Sequence, residues 1–152
     1  PFQDNPAIYE DYLSKLQDYP EKDAKAAIQL QQIFYRMTKY FIENFNTANF
    51  LTEALYHSKA ASYFTNYRVQ HFIFVRTLIE QAQREGDICS DMNSYEIYTT
   101  LQSILIQPII IKNNILQQHK NEPLMDKLKL IDVSSESSLQ KRLRVAFKGL
   151  RP

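Results

Sequence analysis

Only two glycines, Gly86 and Gly149, and six prolines punctuate this chain of 152 residues. A β-sandwich or barrel reverses direction roughly every 8–12 residues and needs turn residues to do so. This chain has too few of them. Long runs rich in Ala, Leu, Gln, Glu and Lys lie between the sparse breakers, so the sequence predicts an all-α fold. Hydrophobic residues make up 44% and charged residues 23%, the proportions of an ordinary folded domain. Eighteen basic against seventeen acidic residues leave a formal charge of +1, which excludes nucleic-acid binding driven by a bulk positive field.

Helical periodicity divides the chain. Residues 7–16 carry a short pattern, with Ile8, Tyr12 and Leu16 on one face. Asp18, Pro20 and Glu21 read as the cap, first turn and capping-box acid of a helix running to Phe45. On that helix Leu30, Ile33, Phe34, Met37, Tyr40, Phe41 and Phe45 form one stripe. Ile28, Tyr35 and Ile42 form another nearly opposite, so the helix is expected to be central and packed on two sides. Asn46 is placed to cap a short helix over 47–57. A longer helix over 60–85 aligns Phe64, Tyr67, His71, Phe74, Val75, Leu78, Ile79 and Ala82, and Gly86 is its left-handed stop. Asn93 and Glu96 open a helix to about His119. After a polar connection through Pro123, Ser134 or Ser135 begins a last helix through Phe147, ended by Gly149.

Between Glu96 and Lys112 no residue is charged. A surface helix ordinarily exposes a charged face, so this one is expected to be covered all round. It is either the central helix of a monomeric bundle or a helix packed on its own core with one side and on a second subunit with the other. The second reading puts Thr99, Ser103, Ile106 and Ile110 at a two-fold axis together with Leu139, Leu143, Ala146 and Phe147 of the last helix, as a four-helix interface. Pro108 removes one backbone hydrogen bond and is expected to bend the helix.

The sequence supports no enzyme. The three histidines, His57, His71 and His119, lack metal-site spacing, and neither a phosphate-binding glycine loop nor a nucleophile elbow is present. No metal or other cofactor is expected. Cys89, the single cysteine, points to a reducing compartment, and no segment approaches the ~20 apolar residues of a membrane span. A cytoplasmic protein with no membrane partner is expected. The chain starts at Pro1 and reads as a fragment. Basic residues on the last helix, Lys141, Arg142, Arg144, Lys148 and Arg151, read as a solvated face. Tyr67 and His71, one turn apart, are either a hydrogen-bonded core pair or a pair that orients a ligand.

Four segments in order, Phe50-Leu51-Thr52-Glu53-Ala54-Leu55, Gln83-Arg84-Glu85-Gly86-Asp87-Ile88, Ile104-Leu105-Ile106-Gln107-Pro108-Ile109-Ile110 and Ala146-Phe147-Lys148-Gly149-Leu150-Arg151-Pro152, carry a resemblance. Over residues 49–152 the chain resembles the C-terminal domain of TetR-family transcriptional regulators. The resemblance implies an orthogonal bundle of about five to six helices whose last two long helices form the dimer interface. It makes residues 1–18 the end of a linker helix or an N-terminal arm and 19–152 the effector-binding and dimerisation domain. DNA would be read by a helix-turn-helix unit to which nothing here corresponds. An apolar small-molecule effector would sit among Phe34, Met37, Phe41, Tyr67, His71, Phe74, Ile104 and Pro108. The rival expectation is a helical dimerisation or adaptor module with no small-molecule ligand.

Overall fold

A computed structural model describes residues 21–44, 58–119 and 122–152, the side chains of 58–68 excepted. Expectations for the arm over 7–16, for Asp18, Pro20 and Phe45, and for the helix over 47–57 lie outside the described residues, as do those for the side chains of Phe64 and Tyr67. Among the described residues the fold is all-α, without strands. The elements are α1 (Ala26–Glu43), α2 (Ser58–Arg84), α3 (Ser94–Leu105), α4 (Gln107–Gln118), α5 (Leu124–Lys129) and α6 (Glu136–Gly149). No helix among them is long and apolar enough to cross a membrane.

Four helices enclose one core. Helix α1 packs on α2, α3 and α6, and α3 also packs on α2 and α6. Leu30, Ile33, Phe34 and Met37 from α1 meet Val75 and Ile79 from α2, Ile97, Leu101 and Leu105 from α3, and Leu139 from α6. Each is wholly buried, a gain of about 1.5–3 kcal/mol per large aliphatic side chain before entropy is counted. The second stripe of α1 is not packed as expected. Ile28 stays 46% exposed and Tyr35 and Ile42 are half-buried, because α2, α3 and α6 cluster on one side of the helix.

Helix α1 also starts later than its sequence signals suggest. Residues 21–25 form a turn in which the Ala24 N–H donates to the Glu21 carbonyl at 3.1 Å. Amides from the helix stabilise that turn: Gln32 Oε1 accepts the Glu21 N–H at 3.0 Å, and Gln29 Nε2 donates to the Ala24 carbonyl at 2.7 Å. Lys25, the residue before α1, offers no side-chain cap, but Glu85 at the end of α2 accepts the Ala26 N–H at 3.4 Å. A carboxylate there suits the positive end of the α1 dipole.

The turn from α2 to α3 follows its sequence closely. Gly86 has φ +82°, the one position among the described residues with positive φ, and a Cβ there would meet nothing within 4 Å. Glycine is required for its backbone freedom, not for space. Gln83 Nε2 donates to the carbonyls of Cys89 and Met92 at 3.0 and 2.8 Å. The Cys89 N–H donates to Leu150 at 2.7 Å and so ties the turn to the end of α6. Asn93 and Glu96 close a reciprocal capping box at 2.9 and 3.1 Å.

The expected helix from Asn93 to His119 is broken into α3 and α4 at Ile106, two residues before the proline. Pro108 has no N–H for the Ile104 carbonyl. The N–H groups of Ile109 and Ile110 both turn to the Ile106 carbonyl, at 3.0 and 3.2 Å. The break changes which face points inward. Ile97 and Leu101 are buried in α3, whereas Ile111 and Ile115, which an unbroken helix would place on the same face, are exposed in α4.

Helix α5 was unanticipated within the polar connection, and it buries only Met125. Helix α6 is capped by Ser135, whose Oγ accepts the Ser138 N–H at 3.1 Å. Gly149 is its last helical residue, two beyond Phe147, and has no positive φ. On α6 the stripe Leu139, Leu143, Ala146 and Phe147 is buried in the core of the single chain.

Candidate functional site

Helices α2 and α3 bring together a polar chain inside an aromatic wall. His71, at the middle of α2, is buried, and its Nδ1 lies 2.5 Å from the Tyr98 hydroxyl on α3. Gln102, one turn further along α3, donates from Nε2 to the same hydroxyl at 3.0 Å. The Tyr98 hydroxyl, with the amide donating to its oxygen, can donate to Nδ1 or accept from it, according to the imidazole tautomer. Burying an imidazole and a phenol is tolerable because each has a hydrogen-bonded partner.

Rings surround the pair. Phe34 of α1 meets Tyr98 edge-on with centroids 6.1 Å apart. Phe72 meets it at 5.3 Å and Tyr95 at 5.7 Å, both near-perpendicular. His71 itself is tilted against Tyr98 at 5.4 Å. Such edge-to-face pairs fix ring orientation and add about 0.5–1.5 kcal/mol beyond the area they bury. The pair is therefore a buried polar focus among mostly apolar, edge-packed rings.

The expected effector residues are only partly brought together. Phe34 and His71 share Tyr98 as a neighbour, while Met37 and Phe41 are buried in the core and Phe74 and Ile104 are half-buried against it. Pro108 is half-buried but lies ten residues beyond Tyr98, about 15 Å along the helical path, so the bend does not open beside His71. Tyr67 is outside the described side chains. The partner that the structure assigns to His71 is Tyr98, which sequence reading missed. Tyr98 follows Ile97 directly and sits about 100° around α3 from it. Its buried position needed the α2–α3 packing to be known.

On the outer side of α3 the expected interface residues are mixed. Thr99 is half-buried, Ser103 exposed, Ile106 buried and Ile110 half-buried. The Thr99 hydroxyl donates to the carbonyls of Tyr95 and Glu96 at 3.0 and 3.1 Å, and Ser103 donates to Thr99 at 2.8 Å.

Arg142 is the second missed residue. Sequence reading placed it on a solvated face, yet it is half-buried and reaches the break between α3 and α4. Its Nη2 donates to the Leu105 carbonyl at 3.0 Å and its Nη1 to Ser138 Oγ at 2.7 Å. The cation sits at the negative end of the α3 dipole and takes a carbonyl that the break releases. Burial lowers its pKa from the ordinary arginine value, against an opposing pull from Asp132, and its buried Nε has no hydrogen-bond partner.

Among the described residues no group of three His, Cys, Asp or Glu side chains could hold a metal ion. Cys89 is half-buried, and burial first, with Asp91 second, pushes its thiol above the ordinary value. A thiol shifted in that direction is a poor nucleophile near neutral pH. Comparison with protein-family models, with curated proteins and with solved structures gives no match for this chain.

Proposed function

We infer that this domain is a non-enzymatic, cytoplasmic sensor: the effector-binding and dimerisation half of a TetR-like transcriptional regulator, probing for an apolar small molecule that carries one hydrogen-bonding group. The observation that carries the reading is the buried His71–Tyr98 pair, joined at its edge by the half-buried Gln102 and walled by Phe34 and Phe72. A ligand site uses a few fixed polar groups of this kind to set orientation. The effector would shift the balance between two subunit arrangements by its different affinity for each, and a helix-turn-helix unit elsewhere in the parent protein would read the change on DNA.

The test is a set of thermal melts of the wild type, His71→Ala and Tyr98→Phe, with and without a library of small apolar molecules. If the pair orients a ligand, each variant loses affinity by roughly 1 kcal/mol or more per hydrogen bond while the unliganded melt moves little. Loss of stability without any ligand effect in the wild type favours the second reading, a helical adaptor. The observation that favours that second reading is the continuous core of Leu30, Ile33, Phe34 and Met37, in which every side chain is fully packed. In both readings this chain by itself shows no sequence-specific DNA binding. A discrete gel-shift complex competed by only one sequence contradicts both.

A further inference from the structure

The end of α3 is held from the core side of the break. Arg142 of α6 donates from Nη2 to the Leu105 carbonyl at 3.0 Å, and its Nη1 is held by Ser138 Oγ at 2.7 Å. Leu105 and Ile106 themselves lie in the main core cluster. Helix α3 therefore ends on groups that belong to the four-helix block, and α4 can leave without taking that cap with it.

Helices α4 and α5 are joined to each other more closely than to the block. The Glu122 N–H donates to the His119 carbonyl at 3.2 Å, the two side chains meet at 3.0 Å, and the Met125 N–H donates to the Glu122 carbonyl at 2.9 Å. Among the described residues α4 packs chiefly on α3 and α5, and α5 chiefly on α4. Each buries one side chain, Ile109 and Met125, and only the half-buried Ile110, next to the break, rests on the main core. Helices of 12 and 6 residues gain little from their own hydrogen bonds and depend on such packing.

The far end is fixed at the loop into α6. Lys112 Nζ on α4 donates to the Ile131 carbonyl. The Asp132 carboxylate accepts the N–H groups of Ser134 and Ser135 at 3.1 and 2.9 Å, and the Ser135 hydroxyl as well. The Ser135 contacts first, with the Lys112 charge as a lesser cause, hold the Asp132 carboxyl below the ordinary aspartate value.

We propose that α4 and α5 form one hinged strap, which swings off the four-helix block as a unit about the Pro108 break and the Ile131–Asp132 loop, with the Lys112–Ile131 contact as its latch. The block stays folded when the strap opens, because the groups that cap α3 and α6 at the two hinges, Arg142 and Ser135, both lie outside the strap. Local opening is drawn from segments with few buried apolar contacts, and Ile109 and Met125 are all that the strap withdraws from solvent completely.

Native-state hydrogen exchange in low denaturant, read amide by amide, tests the strap. In the wild type the α4 and α5 amides are expected to share one opening with one denaturant dependence, and to be protected roughly 100-fold less than the core amides of α3 and α6. Lys112→Met keeps the apolar stem and removes the latch; it is expected to speed exchange about 5-fold in both α4 and α5 and to leave α3 and α6 unchanged. Ile109→Ala is expected to act on the same amides by roughly 10-fold or more. Wild-type α4 amides as protected as those of α3, or an Ile109→Ala chain that exchanges faster in every helix alike, overturn the strap. An α4 that responds to Ile109→Ala while α5 does not overturns the single unit, and unchanged exchange in Lys112→Met overturns the latch.

Discussion

Helices α3 and α4 meet within one charge-free stretch, residues 97–111, and have equal lengths, yet the fold treats them in opposite ways. Helix α3 buries Ile97, Tyr98, Leu101 and Leu105 between α1, α2 and α6, while α4 buries Ile109 alone. Helix α3 opens with a reciprocal capping box, whereas α4 opens at Ile106 with no side-chain cap. One proline separates them. By denying a donor to the Ile104 carbonyl, Pro108 ends the first helix and re-aims the second, so equally apolar sequence becomes core on one side of it and surface on the other. Apolarity makes a segment seek cover, but the geometry of the preceding turn decides whether its own chain supplies that cover.

The largest expected effect comes from exchanging equivalent deletions between the two helices. Leu101→Ala in α3 removes a wholly buried side chain and is expected to cost about 2–5 kcal/mol in a denaturation experiment. Ile111→Ala in α4 is expected to change stability by no more than about 0.5 kcal/mol. Comparable losses would end the distinction.

Arg142 probes the junction. Arg142→Met keeps the apolar stem but leaves the Leu105 carbonyl without its donor, an expected loss of about 1–3 kcal/mol. A gain in stability on urea unfolding would instead mean that burying the charge costs more than capping α3 returns. A smaller effect comes from the capping box. Asn93→Ala is expected to cost about 1 kcal/mol and to fray α3 from its first turn, with no change in the exchange of α4 amides.

The smallest effect concerns pH and one end of the core block. Glu136 at the start of α6 accepts hydrogen bonds from Gln140 and from the Tyr35 hydroxyl of α1, each at 3.0 Å, with Lys39 at 3.6 Å. These partners, the Gln140 bond first, hold its carboxyl below the ordinary glutamate value. Its contribution is therefore complete above the ordinary value near 4.5 and is lost as pH falls through the lower value of the folded state. Glu136→Gln should flatten the acid limb of the stability curve slightly, and an unchanged limb would dismiss the contact.

The all-α class, the capping box at Asn93, the left-handed Gly86 and the core stripes of α1 and α6 were legible because each is local: a period, a cap, a glycine after a last turn. Their reach ended where tertiary packing chose among apolar faces. The stripe Leu139–Leu143–Ala146 was visible, but whether it met its own chain or a copy was not. His71 was visible as a buried-type histidine, but Tyr98, its hydrogen-bond partner from α3, was not. Arg142 was hidden because an arginine amid basic neighbours looks solvated until a released carbonyl is placed beside it.

Nitrogen spectroscopy of the imidazole of His71 tests the sensor reading most directly, since only three histidines are present and His57→Asn and His119→Asn assign the signals. The account predicts at least one small apolar molecule that shifts the Nδ1 resonance of His71, which faces Tyr98, in the wild type and fails to do so in Tyr98→Phe. A resonance that no molecule of a broad apolar library moves would contradict it.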